Sequence, residues 1–499
     1  MKRILSVLLS LWLALPASAG FTEWYVQTTG SNLNAGSTTG DSAAFTYASG
    51  SWVASTGVFT VASGNPSSDG VAVGDWASVY PDGSTVAVFI GRVTARDTTT
   101  ITVSLTIKSG TAPTDGTSNR TLKIGGAWKG PNGTEVFPWN FMSNVMTNSA
   151  TDVPCVNIKS GTKYDITATL YQPSTLAGPI IYSGYTTTPR DDGVAVFDGG
   201  GISASVALVT NNVADIWYNS LTFTNNGTSG NAAGVVSWSS GSRGYFRRVT
   251  STGMRGAGFY NVAVGVNYIE CESFENNIAN QSLHGGWYVQ ERGLFVRCIA
   301  HHNRGTQSRG FMIGSSIAPV SLVDCIASHN GGDGFTCNER SGATLINCLS
   351  YSNTGDGLEI SSSSNPGITS VENCIFARNA GYGINNAQSV QLHYGTIRNC
   401  WWTSGSESNV LGHVGGTDMG GISIDATNLF TINTSPWVDA PNGNFRLTTG
   451  SILQAAGRGS FVMRSNNFTG TISYPDIGPA QITTNAATAA GAVGRAFIQ

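Results

Sequence analysis

Asp333 and Asp356 stand in the same local setting, "GGDGF" and "TGDGL", and Glu359 follows the second aspartate by one short step. Carboxylates brought side by side repel unless a proton or a cation comes between them, and calcium, which takes carboxylate and carbonyl oxygens, suits such a set. Around them the chain carries Arg292, Arg304, Arg309 and Arg340, with His284, His301, His302 and His329. Proton abstraction beside a sugar carboxylate needs a base, a cation that acidifies the proton and a positive group on the carboxylate. In that chemistry Arg309, Arg340 and His329 are the candidates for proton transfer. Arg292, Arg304, His302 and Trp401 are the candidates for holding substrate, since a guanidinium fork matches a carboxylate and an exposed indole offers a stacking surface. Asp333, Asp356 and Glu359 are the candidate metal ligands. Against this stands a plainer role, because aspartate beside glycine is an ordinary turn residue and histidines in one outward column simply stack in solvent.

What positions these residues is a repeat. Six of the eight cysteines, Cys271, Cys298, Cys325, Cys348, Cys374 and Cys400, recur at steps of 27, 27, 23, 26 and 26 residues. A period in that range marks a solenoid or another repeat array. Aligned on the cysteine, the residue three places before is Tyr268, Phe295, Leu322, Leu345, Val371 and Ile397, apolar every time. Five places after stand Asn276, Asn303, Asn330, Asn353 and Asn379, and just after a glycine stand Phe259, Trp287, Phe311, Phe335, Leu358 and Ile384. One place before the cysteine, Glu270, Arg297 and Asp324 alternate in sign.

Such coils cannot bury their inner faces alone, so they stack, about 4.8 Å apart, as parallel sheets in which like side chains touch. The asparagines then form an amide ladder at a turn where asparagine also tolerates left-handed geometry. No CxxC pair is present, which argues against zinc. Evenly spaced single cysteines read as an inward column of reduced thiols, with cross-rung disulfides the weaker alternative. The fold expected is all-β, a right-handed parallel β-helix.

The chain here resembles the secreted pectate-lyase-like β-helix proteins. "WYVQTTGSNLNAG" (24–36) is similar to their opening strand, and "FPWNFMSNVM" (137–146) resembles the amphipathic helix that caps the solenoid. "GNFRLTTGSILQAAGRG" and "PDIGPAQ" resemble their closing segment. More locally, "GGDGFTCN" and "NTGDGLEI" resemble the paired Asp-Gly motifs of family-9 pectate lyases. That resemblance implies calcium ligation by Asp333, Asp356 and Glu359. The family's catalytic lysine falls at Asn338, one expected acid falls at Gly355, and no lysine follows Lys163. A lysine-based elimination is therefore not expected.

The remaining organisation follows from composition and pattern. Residues 1–19 have a basic start, a short apolar run and the small-x-small ending Ala17-Ser18-Ala19, the pattern of a secretory signal. Residues 20–44 read as the opening strand of the solenoid, 45–130 as an inserted small antiparallel β domain, 131–450 as the β-helix and 451–499 as its closing segment. A net charge of −3 gives no reason to expect nucleic acid, and no run after the signal is long enough to span a membrane. The expected product is a protein of the bacterial exterior, at the periplasm, cell surface or beyond, that binds polysaccharide as a non-catalytic scaffold or adhesin. The alternative is a calcium-assisted lyase on uronate-containing glycans. Oligomeric state is open.

Overall fold

The computed structural model describes residues 21–27, 42–129 and 153–447, less short internal stretches that include 281–284, 315–318, 339–341, 362–367, 387–393 and 403–411. The expected signal (1–19), capping helix (137–146) and closing segment (451–499) lie outside the described residues. The chain divides into two compact units, residues 2–252 and 253–499.

In the first unit the strands Phe45–Val53, Val58–Thr60, Thr100–Gly110, Phe89–Arg96, Trp76–Pro81 and Gly116–Ile124 close, in that spatial order, into an antiparallel barrel. Its interior is filled by Trp52, Phe59, Val79, Phe89, Ile101 and Leu122. Phe59 packs so tightly on the Phe45–Val53 strand that a Cβ at Gly50 would lie 2.2 Å from its ring. The same unit holds parallel coils. The strand Phe21–Gln27 pairs in parallel with both Trp128–Lys129 and Val153–Lys159, so the chain leaves this ladder for the barrel and returns to it.

The second unit is a stack of three-stranded coils, a parallel β-helix. One sheet is built from Val266–Ile269, Gly293–Val296, Val320–Val323, Ala343–Ile346, Ile368–Glu372, Tyr394–Arg398 and Ile422–Ile424. A second runs through Glu272–Phe274, Ile299–His301, Ile326–Ser328, Leu349–Tyr351, Ile375–Ala377, Trp401–Trp402 and Leu429–Phe430. The third, which carries the candidate site, runs through Phe259–Asn261, Gly285–Val289, Arg309–Ile313, Phe335–Asn338, Leu358–Ser361, Ile384–Asn386 and Gly412–His413.

The columns read from the sequence are in register. Tyr268, Phe295, Leu322, Leu345, Val371 and Ile397 pair in succession and are at most 1% exposed. Phe259, Trp287, Phe311 and Phe335 stack ring on ring at 4.7–5.3 Å with planes within 12°. Each such pair contributes about 1 kcal/mol beyond its buried area. All eight cysteines are reduced and buried. Along the column their thiols donate weakly to carbonyls of the preceding rung, as Cys348 does to Leu322 at 3.5 Å.

The asparagine column forms the expected amide ladder. Asn303, Asn330 and Asn353 each donate through Nδ2 to the next Oδ1 at 2.8–2.9 Å. That same oxygen also accepts the backbone N–H of the asparagine below it. One detail differs from expectation: the ladder asparagines are not left-handed. The left-handed residues are their immediate predecessors, Glu275, His302, His329, Ser352 and Arg378 (φ 51 to 54°). A second left-handed column precedes the cysteines, at Glu270, Arg297, Asp324, Asn347 and Asn373 (φ 54 to 56°). Geometry explains the shift. The left-handed residue turns the chain inward, and its N–H reaches the rung ahead, as His329 N donates to the Tyr351 carbonyl at 3.0 Å. The asparagine then completes the corner with its side chain. Of the charged run before the cysteines, Glu270 and Arg297 make an ion pair at 2.7 Å.

Candidate functional site

Two columns of the third sheet carry the polar chemistry. Two places before each buried aromatic or aliphatic residue of that sheet come Gly285, Arg309, Asp333, Asp356 and Tyr382; one place after come Tyr288, Met312, Thr336, Glu359 and Asn385. Strand alternation turns the second column away from the stacked core. Even so, Met312 and Thr336 are 2% and 0% exposed, so the outer face of this sheet is sheltered at these rungs.

The aspartates first do what the repeat requires. Asp333 Oδ1 accepts the Asp356 N–H at 2.8 Å, and Asp356 Oδ1 accepts the Tyr382 N–H at 2.6 Å. Each carboxylate thus clamps the turn of the next rung. The glycine before the next turn residue makes room for it: a Cβ at Gly355 would sit 2.2 Å from Asp333 Oδ1, and one at Gly381 would sit 2.2 Å from Asp356 Oδ1. The glycine after the aspartate faces the asparagine ladder instead. A Cβ at Gly334 would meet Ser350 Oγ at 2.1 Å and Asn353 Nδ2 at 2.9 Å. The motif "GDG" is therefore fully accounted for by stacking.

Arg309 and Glu359 are not. Arg309 Nε donates to Asp333 Oδ2 at 3.1 Å, and its Nη2 donates to Glu359 Oε2 at 3.4 Å. The side chains of Arg309, Asp333 and Glu359 are only 17%, 13% and 19% exposed. Thr336 Oγ1 adds a second bond to Asp333 Oδ2 at 3.2 Å, and Asn385 Nδ2 donates to Asp356 Oδ2 at 2.7 Å. Burial, above all, raises the Glu359 carboxyl to about 7. A hydrogen bond to Asp333 and the charge of that carboxylate push the same way, while Arg309 pulls it back. Burial also raises Asp356, against the bonds from Asn385 and Tyr382. The result is a sheltered acid, Glu359, that holds its proton toward neutral pH beside a fixed cation.

The other candidates lie elsewhere. His329 and His302 stack on each other, 4.9 Å between centroids and 5° between planes, and His302 Nδ1 meets His301 Nδ1 at 2.9 Å. His301 Nε2 in turn meets Glu272 Oε1 at 3.0 Å. This group belongs to the corner after the second sheet. Burial first, then neighbouring imidazoles, lower His302 and His329. Arg304 pairs with Glu275 at 3.1 Å, and Arg292 is exposed. Arg340 and His284 lie outside the described residues, and Trp401 is described only as part of a strand. Thr336 and Asn385 were not singled out from sequence, although the alignment that places Glu359 after Leu358 puts them in the same column.

The fit to calcium is poor. Asp333 spends one oxygen on a peptide N–H and the other on Arg309 and Thr336, and the guanidinium stands between Asp333 and Glu359 where an ion would have to sit. Among the described residues, no group of three or more His, Cys, Asp or Glu side chains converges as a metal site.

Residues 245–402 match the family model described as "Right handed beta helix region". No curated protein is similar in sequence. Among solved structures, pectate lyase Pel9A is similar at 17% identity over 70% of this chain and 94% of its own, with a TM-score of 0.41. The A-module of Azotobacter vinelandii mannuronan C-5 epimerase AlgE4 is similar at 14% identity over 56% and 86%, TM-score 0.41. A rhamnogalacturonan lyase is similar at 14% over 59% and 89%, TM-score 0.38. At these identities and scores the likeness assigns no residue a role.

Proposed function

We propose that the protein works outside the bacterial cytoplasm on a polysaccharide, and that Glu359, held beside Arg309, provides proton transfer on the sheltered face of the third sheet. The observation that carries this reading is that Arg309 and Glu359 form a charged, nearly buried cluster that the repeat does not need. A carboxyl near 7 both gives and takes protons at neutral pH, the property a general acid–base group requires. Glycoside hydrolases keep their two carboxyls about 5 to 9.5 Å apart, on two sides of the sugar. Here the Arg309 guanidinium lies between Asp333 and Glu359, and a single carboxyl near neutrality suits abstraction and return of a carbon-bound proton better than two-carboxyl hydrolysis.

The direct test is incubation of the protein with a panel of uronate and neutral polysaccharides, following ultraviolet absorbance from unsaturated ends and, separately, new reducing ends. Absorbance from a uronate polymer that falls at least 100-fold in Glu359→Gln supports the proposal. Reducing ends without unsaturation mean hydrolysis, and overturn the single-carboxyl assignment.

The second reading, a non-catalytic scaffold or adhesin that binds glycan, is favoured by one observation: Asp333 and Asp356 are both committed to rung clamps. Glycan binding without any product, equal in wild type and Glu359→Gln, establishes it.

A further inference from the structure

We propose that Arg309 is the resident cation of the acid cluster, holding the place of a divalent ion, so that the site neither needs nor takes up calcium. The inference concerns charge compensation alone and stands whether or not the face is catalytic.

Its basis is positional. Arg309 shares a column with Asp333 and Asp356, so a cation occupies a position that carries acids in the next two rungs. From there its side chain reaches along the stack: Nε serves the adjacent rung, at Asp333, and Nη2 serves the rung beyond, at Glu359. Two strand spacings are about 9.6 Å, within reach of an arginine and its planar fork. Calcium takes six to eight oxygens at roughly 2.3 to 2.6 Å. Here the oxygens turned toward the gap already accept N–H or O–H donors, Asp333 Oδ2 two of them. A guanidinium cannot dissociate from its own chain and does not lose its proton, so the compensation is independent of ion concentration. Among the described residues one positive group, Arg309, reaches Asp333 and Glu359 with Asp356 one rung away, and the shortfall is met by the proton that Glu359 retains toward neutral pH.

The inference makes a reciprocal demand. Take the cation away while keeping the oxygens, and the gap becomes a place for a divalent ion. The test is isothermal calorimetry with calcium chloride on the full chain, stripped with chelator, at pH 7.5. Wild type and Arg309→Lys should show no saturable heat up to about 1 mM, while Arg309→Gln should gain one site, at least tenfold tighter than any wild-type signal. In Arg309→Gln alone, calcium should raise the thermal midpoint. Saturable binding by wild type that disappears in Asp333→Asn overturns the proposal, because the ion would then have displaced the guanidinium. A folded Arg309→Gln, with unchanged circular dichroism, that binds no calcium overturns it too. Should Arg309→Gln not fold, the wild-type and Asp333→Asn arms decide.

Discussion

The asparagine ladder and the acid–arginine columns run along the same stack of coils, yet only the first is required by it. Each ladder amide repeats one job: it donates to the next side chain and accepts the backbone N–H of the asparagine one rung before. Substituting one rung breaks a chain of buried bonds. The charged columns change identity along the stack, from Arg309 to the aspartates Asp333 and Asp356, and from Thr336 to Glu359 to Asn385. Repetition signals architecture; variation inside a repeat marks the rungs that carry something more.

The largest effect should therefore come from the ladder. Asn353→Ala strips Oδ1 from the Asn330 amide and backbone N–H, and removes a side-chain donor from the Ala327 carbonyl. With each stranded group costing about 1 to 3 kcal/mol, a loss of about 4 kcal/mol is expected, read as a lowered urea midpoint. If Asn353→Ala costs no more than Thr336→Val, the contrast between ladder and columns fails.

Next in size is a pH effect that belongs to the columns alone. Glu359 sits at about 7 in the folded chain against an ordinary 4.5. Its folded form binds the proton more tightly, so its contribution is fully present below pH 4.5 and lost as pH rises to 7. The raised Asp356 acts in the same direction. The lowered His302 and His329 act oppositely, losing stability as pH falls. The measurement must therefore be a difference: wild type minus Glu359→Gln should fall by about 3 kcal/mol between pH 4.5 and 7. A flat difference removes the raised carboxyl, and with it the support for proton transfer.

This contrast also explains what the sequence could show. Periodicity reports what repeats, so the apolar columns, the reduced cysteines and the amide ladder were all legible from aligned rungs. The left-handed corner was read one residue late, because asparagine's tolerance for that geometry made it the obvious candidate; the geometry falls instead on Glu275, His302 and Arg378. The Asp-Gly turns were legible as turns, and the structure adds the clamp between rungs and the glycines that admit it. What sequence could not show is reach. That Arg309 extends over two rungs to Glu359 depends on side-chain conformation, not on spacing.

A smaller effect separates clamp from chemistry within the columns. Asp356→Asn keeps an oxygen for the Tyr382 N–H, and burial already disfavours the charge it removes. The cost should be about 1 kcal/mol or less in the urea midpoint, with glycan binding unchanged. A loss as large as that of Asn353→Ala would mean that the charge itself, not the clamp, is what the rung needs.

The smallest effect tests whether arginines on this unit are alike. Arg304 and Arg309 both pair with carboxylates, but the Arg304 and Glu275 side chains are 56% and 50% exposed, against 17% for Arg309. An exposed pair is screened by water and salt and contributes at most about 0.5 kcal/mol. Removal of a nearly buried cation instead strands Asp333 and Glu359, whose desolvation is then uncompensated. Arg304→Ala should leave the urea midpoint within about 0.5 kcal/mol of wild type, and 0.5 M sodium chloride should erase even that difference. Arg309→Gln should cost several times more, and salt should not erase the loss. Equal costs for the two substitutions would make Arg309 one more surface ion pair, and the acid–arginine columns would then be decoration on the ladder's scaffold.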